Sequence, residues 1–228
     1  MKTRVPVFLL ALFLSTAVSC KNDSTAEEAE VTEPVEAAPV TNEAKSYMVD
    51  AAASKIEWGG SKPTGKHTGT IAISEGEVFV KDTMLASGKF TIDMKSITVT
   101  DLKPGDGKED LEAHLKGLKE GSADHFFNTT KYPTGTFEIT GVAKEGDKTM
   151  IEGNLTLKEI IKNIKFPATV TVTDNLVLID SETFKINRTL WNVNYNSRNV
   201  FENLGNDYID DDIELKVSVK AVANNSAL

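Results

Sequence analysis

Three histidines, one cysteine and an arginine inside an apolar strand are the residues of this 228-residue chain whose types could do chemistry. His67 follows Lys66 and stands between Gly65 and Gly69, where small neighbours let the backbone approach a ligand closely. There an imidazole can serve a phosphate or hydroxyl head group, or it can make a hydrogen bond across a turn. His114 shares a face with leucines and His125 precedes Phe126-Phe127, surroundings of packed or capping histidines rather than of metal ligands. Asp210-Asp211-Asp212 lacks the spaced oxygens and the glycine of a calcium loop and reads as a solvated turn. Arg188 ends a strand whose other inward members are apolar, so alternation points its guanidinium inward. It must then meet an acid, backbone carbonyls or a ligand anion, and structural pairing is the favoured role. The single Cys20 can close no internal disulfide, and one cysteine with three scattered histidines supplies no structural zinc site. No Gly-x-Ser-x-Gly, phosphate-cradling or His-Glu-x-x-His motif occurs. Neither catalytic residues, nor a metal, nor a cofactor is expected.

These residues must be positioned by strands. Ile71-x-Ile73, Val78-x-Val80, Phe90-x-Ile92-x-Met94, Ile151-x-Gly153-x-Leu155-x-Leu157 and Ile213-x-Leu215-x-Val217-x-Val219 all follow the two-residue period, with polar neighbours between. Turn signals such as Ser74-Glu75-Gly76 and Glu145-Gly146-Asp147 separate the runs at intervals suited to antiparallel hairpins. GDGKEDLEAHLKGLKEG breaks the pattern. Asp106 is expected to cap a helix with Glu109 three residues on, Leu111, His114, Leu115 and Leu118 to share one face, and Gly121 to end it. A long sheet with one dry face and one short helix must pack as a sandwich or curl shut. The predicted fold is all-β: an antiparallel barrel of about eight strands with one short helix insertion. If that barrel is hollow, Trp58, Phe90, Phe137, Phe166, Phe184 and Ile186 line an apolar tunnel; the alternative is an ordinary packed core.

The amino terminus carries a different message. Lys2 and Arg4, the apolar run Val5 to Leu14 and the small residues that follow have the order of a secretory signal peptide. Ala17-Val18-Ser19-Cys20 resembles the lipobox of bacterial lipoproteins, with Ala17 where leucine is usual. That resemblance implies a signal peptide over 1–19 and lipid attachment at Cys20. Lys21, rather than Asp, directly after the cysteine resembles the sorting pattern that spares lipoproteins from inner-membrane retention, which implies an outer-membrane lipoprotein in the envelope of a Gram-negative bacterium, facing the periplasm or the cell surface. Residues 21–46 hold seven acids against two lysines and no aromatic residue, so 20–46 is expected to be a disordered acidic tether. The folded domain is assigned to 47–223 and a short tail to 224–228. With a net charge of −9 and no basic run, nucleic acid is not expected as a partner.

The stretch Tyr47 to Ala221 resembles the YceI-like, polyisoprenoid-binding family. The segments that carry the likeness are Trp58-Gly59-Gly60-x-Lys62, Gly65-Lys66-His67-Thr68-Gly69, Leu111-x-x-His114-Leu115, Asp124-His125-Phe126-Phe127-Asn128, Gly153-Asn154-Leu155-Thr156-Leu157-Lys158 and Ile186-Asn187-Arg188-Thr189-x-Trp191. Two positions depart from the pattern: Asn187 stands where an acid is usual before the arginine, and Lys158-Glu159-Ile160 replaces a glycine-containing turn. The resemblance implies a lipocalin-like barrel that binds or carries a long apolar amphiphile such as a polyisoprenoid or quinone lipid. His67, Arg188 and Trp191 would then orient its polar end. Two other classes stay open, a filled barrel acting as a structural or interaction module and, less favoured, a hydrolase using His67 or His125.

Overall fold

Alternating side chains leave each strand one dry face, and the chain buries those faces by closing its sheet on itself. The computed structural model describes residues 26–40 and 43–224. Its strands are β1 (Glu27–Glu28), β2 (Glu30–Thr32), β3 (Lys45–Val49), β4 (Lys55–Lys62), β5 (Gly65–Lys81), β6 (Met84–Val99), β7 (Thr134–Glu145), β8 (Lys148–Leu157), β9 (Ile160–Val172), β10 (Leu176–Ser181), β11 (Phe184–Asn187) and β12 (Asp212–Ala223). One helix, α1 (Lys108–Lys116), interrupts the series.

From β5 through β10 each strand pairs antiparallel with the next, and β12 then pairs with both β10 and β4. The result is a closed ring of eight strands, the all-β barrel expected. Two wall positions are split. β3 and β4 both lie between β5 and β12, one above the other, joined by a 3-10 turn at Ala51–Ala53. Likewise β10 and β11 follow one another along β12. The inward residues Ile73, Val78, Ile92, Ile139, Ile151, Ile164 and Val219 are all buried, so the two-residue period was read in the correct phase.

The acidic segment is a correction. Residues expected to form a disordered tether lie against the barrel: β1 pairs parallel with β11, and β2 pairs antiparallel with β9. The first strand of the ring itself, β3, starts at Lys45. Backbone pairing and two small apolar contacts, from Ala29 and Val31, accomplish what the composition did not suggest. Asn154 adds a clamp, accepting from the Val35 amide at 3.1 Å and donating to its carbonyl at 2.6 Å. Residues 1–19, where a signal peptide is expected, Cys20 and residues 225–228 lie outside the described residues.

The helix ends also differ from expectation. Gly107, not Asp106, stands at the amino-terminal cap, while Glu109 still reaches back to the Gly105 amide at 3.0 Å. Gly117 ends the helix in a left-handed conformation, four residues before Gly121, so Leu118 falls past the end and is exposed.

The turn Lys158-Glu159 joins β8 to β9 with both residues at positive φ, 48° and 66°. A left-handed conformation costs a residue with a Cβ roughly 1–2 kcal/mol, so the tight turn survives the loss of glycine only under strain. Glu159→Gly is expected to stabilise the protein by about 1 kcal/mol, seen as a higher urea midpoint at unchanged m-value.

Candidate functional site

The barrel is hollow at one end and nearly filled at the other. At the filled end the rings of Phe90, Phe137, Phe166 and Phe184 form a chain, with centroid separations of 6.2, 5.8 and 4.4 Å, the last pair stacked. They leave a chamber of only about 60 Å³. Above it Ile56, Ile92, Leu155 and Leu215 border both this chamber and a second one of about 560 Å³. Trp58, Ile71, Met94, Ile97, Ile186 and Ile213 continue the apolar wall of the larger chamber. Trp58, Ile213 and Leu215 point inward yet remain partly accessible, because the space they face is empty rather than packed.

All six residues expected on the tunnel wall therefore face the lumen, divided between its two chambers: Trp58 and Ile186 in the wide one, the four phenylalanines in the narrow one. Trp58 depends on its neighbour. A methyl group at Gly69 would lie 2.0 Å from the Thr98 carbonyl oxygen and 2.5 Å from the indole ring. Gly69 thus makes room for a side chain of the protein, not for the ligand that its position suggested. Gly153 does the same for Phe137, at 2.2 Å.

The wide chamber is roofed by α1 and by two loops. Glu112 anchors the helix to the wall by accepting from the Val99 amide at 2.9 Å, which sets Leu111, His114 and Leu115 over the cavity. Residues 188–211 form the second part of the roof, contributing Val193, Tyr195 and Ile209. Between them Tyr195 stacks on His125 at 4.1 Å, and His114 makes edge contacts with Tyr195 and Phe126 at 4.9 and 5.2 Å. The two histidines share a hydrogen bond, Nε2 of His114 to Nδ1 of His125, at 2.8 Å. They are the packed histidines expected; among the described residues no group of three His, Cys, Asp or Glu is placed to hold a metal.

Arg188 organises the second roof loop. It opens a 3-10 turn just after β11, is 3% exposed, and donates to the carbonyls of Asp210, Val193, Tyr195 and Ile209. Burial works against its charge, and Asp211, 3.5 Å away, and Asp210 offset part of that cost. Asn187, where an acid was expected, instead caps the turn by accepting from the Thr189 amide at 2.9 Å. The arginine therefore borders the wide chamber but spends its donors on the loop, the structural role. Trp191 is a correction. It is fully buried, donates its indole N–H to the Leu155 carbonyl at 3.0 Å, and borders neither chamber, so nothing of it remains to orient a ligand.

His67 sits at the mouth, rimmed by the exposed residues Lys62, Thr64, Asn206 and Asp207. Its Nδ1 meets Asp101 at 2.8 Å, and the other oxygen of Asp101 accepts from the Thr68 amide at 2.8 Å. Partial burial raises the Asp101 carboxyl, but the Thr68 amide and the His67 ring outweigh it and hold the group below the usual carboxylate range. Sequence reasoning missed Asp101 and Tyr195. Both lie in loops, where no periodicity marks a residue's direction.

The family model for the YceI-like domain matches residues 47–221. Protein YceI of Shigella flexneri is 36% identical over 88 residues, which are 36% of this chain and 43% of that protein. A UPF0312 protein of Pseudomonas aeruginosa is 34% identical over 82 residues, with the same coverage. These alignments span less than half the length of the curated relatives. The fold is that of BcnA from Burkholderia cenocepacia, with a TM-score of 0.57 and 22% identity over 76% of this chain and 99% of that one. A polyisoprenoid binding domain from Saccharophagus degradans gives a TM-score of 0.53 and 16% identity over 78% and 98%.

Protonation is expected to loosen the roof. His114 is held below its ordinary value first by burial, then by the nearby His125 and Lys119. A depressed value means that its stabilising contribution is present above about pH 6.5 and is lost as pH falls through the folded-state value. The melting temperature should therefore drop as the pH is lowered from 7.5 to 5.5, and His114→Gln should flatten that slope. From its fold, its register and the span of the matching model, the chain belongs to the YceI-like family.

Proposed function

We propose that this protein is a lipid-anchored, extracytoplasmic binding or carrier protein for a long apolar amphiphile of the polyisoprenoid or quinone type, and that it is a binder rather than a catalyst. The observation that carries this reading is the wide chamber: about 560 Å³, walled by isoleucine, leucine, methionine and tryptophan, with polar groups gathered at its mouth. Burying apolar surface contributes roughly 25 cal/mol per Å², so the tail of such a ligand supplies most of the affinity. The solved polyisoprenoid binding domain with the same fold supports the ligand class. A chamber of this size speaks against the filled-barrel alternative.

His67 would meet the polar end. Because a carboxylate only accepts, the bond to Asp101 places the proton of the neutral ring on Nδ1 and leaves Nε2 as an acceptor. A head group with a hydroxyl donor fits that tautomer; a phosphate or carbonyl would require the imidazolium. Arg188 contributes by holding the roof loop rather than by touching the ligand.

The chamber can be tested by filling it. Gly60 is on the inward face of β4 between Trp58 and Lys62, and a Cβ built there meets nothing within 4 Å. Gly60→Leu is expected to weaken binding of a fluorescent prenyl probe at least about tenfold while changing stability by under ~1 kcal/mol. Unchanged affinity in a folded variant would remove the wide chamber as the binding site.

The anchor reading supplies a second test. Two or more acyl chains on Cys20 would give stable membrane attachment, since each buried CH₂ contributes about 0.8 kcal/mol. Cys20→Ser should leave an unprocessed precursor or release the protein from membranes, with the barrel's near-ultraviolet circular dichroism intact. A variant that is processed and fractionates like the parent would refute lipidation.

A further inference from the structure

The wall of the barrel is incomplete without the acidic amino-terminal segment. β9 pairs with β10 only through Ala168–Val172, so the outer edge of its first half, Ile160–Lys165, has lost that neighbour. Past Ser181 the strand breaks at Glu182-Thr183 and resumes as β11, which pairs with β12 on one side and, among the described residues, with β1 on the other. Residues 27–32 fill the gap: Glu27 and Glu28 pair with Phe184 and Lys185, the Ala29 amide donates to the Lys185 carbonyl at 2.8 Å, and Glu30 to Thr32 pair with Lys165 to Asn163. Neighbouring strands stand 4.7–4.9 Å apart. Removing the one in between would leave the backbones of β9 and β11 about 10 Å apart; the stacked rings of Phe166 and Phe184 close the lumen side at one end, so the opening lies beside Ile164 and Ile186.

What lies behind the gap is the lumen. Ile164, Phe166 and Phe184 border the narrow chamber and Ile186 the wide one, and Ala29 and Val31 are the apolar side chains that the inserted strand sets against them.

The insert is built to be held lightly. Its strands are two and three residues long, one of them paired parallel, against ten residues for β8 and seventeen for β5. Beyond the ladders it is held by the Asn154 clamp on Val35, by the Ala38 amide donating to the Ile139 carbonyl at 3.1 Å, and by charge on the outer face: Glu33 meets Lys162 at 2.6 Å, Glu30 lies in the field of Lys165, and Glu27 in that of Lys148. Such exposed pairs are weak and screened by salt. The composition that suggested a tether is therefore the composition of a strand that can leave.

We infer that the gap between β9 and β11 is a lateral portal into the barrel, and that residues 27–32 are its detachable closing strand. The inference rests on the reading of the lumen as a lipid site. It also gives the anchor a geometric role. Only residues 21–26 separate Cys20 from the insert, a reach of about 25 Å at most, so a lipidated cysteine would keep the portal next to the membrane from which an apolar chain must come.

A reversible lock tests this. Glu30 and Lys165 face each other directly across the β2–β9 ladder. Full mature chain carrying Cys20→Ser, Glu30→Cys and Lys165→Cys is oxidised to a disulfide or kept reduced, and uptake of a fluorescent prenyl probe from phosphatidylcholine vesicles is followed. Oxidation is expected to slow uptake and release about tenfold or more at unchanged equilibrium affinity, because a lid alters rates without altering the bound state. Deletion of residues 26–40 should do the reverse, speeding exchange and lowering the melting temperature. Equal uptake rates in oxidised and reduced protein would overturn the portal while leaving the lipid site standing, with entry then assigned to the mouth beside His67. Failure of both forms to take up probe would overturn the lipid site, and the portal with it.

Discussion

Closure of the sheet is the constraint on which the rest of the molecule depends. Because β12 pairs with both β4 and β10, the width of the barrel is set by the number of strands in the ring and not by the volume of the side chains inside it. Where large rings project inward, as with the four phenylalanines, that fixed width is filled. Where Gly60, Ile71 and Leu155 project instead, the same width leaves a chamber. Cavity and core are two outcomes of one geometry, decided by which residues occupy inward positions.

The geometry also imposes close contacts between strands. Bulky rings on one strand need room on the next, and glycine provides it: Gly69 beneath Trp58, Gly153 beneath Phe137. The roof solves a different problem. A loop of more than twenty residues between β11 and β12 has no ladder to satisfy its carbonyls, and the buried guanidinium of Arg188 binds four of them at once. A planar group with five donors can do this; an ammonium cannot reach them in the same plane. One residue thus connects the end of the wall to the ceiling of the chamber.

Charge divides the molecule in a related way. The segment between Cys20 and the barrel is acidic, and the wall it lies on presents Lys148, Lys162, Lys165 and Lys185 beside it. Low hydrophobicity argues against an independent core, and correctly so. It does not argue against pairing with strands that already exist, since backbone hydrogen bonds are independent of side-chain type.

The sequence by itself determined the barrel and the inward phase of its strands, because the two-residue period is local and a slip of one residue would turn every side chain to the other face. Trp58, Phe90, Phe137, Phe166, Phe184 and Ile186 were legible in that way. The order of the glycine, histidine and asparagine motifs carried the family. Tertiary structure alone decided the rest: that Trp191 turns away to the Leu155 carbonyl, that Asp101 stands behind His67, that Tyr195 stacks on His125, and that an acidic run completes the wall. These are contacts between residues distant in the chain, made from loops or across a gap between strands. No local period encodes them, because their partners are chosen by where the closed sheet leaves a group unpaired.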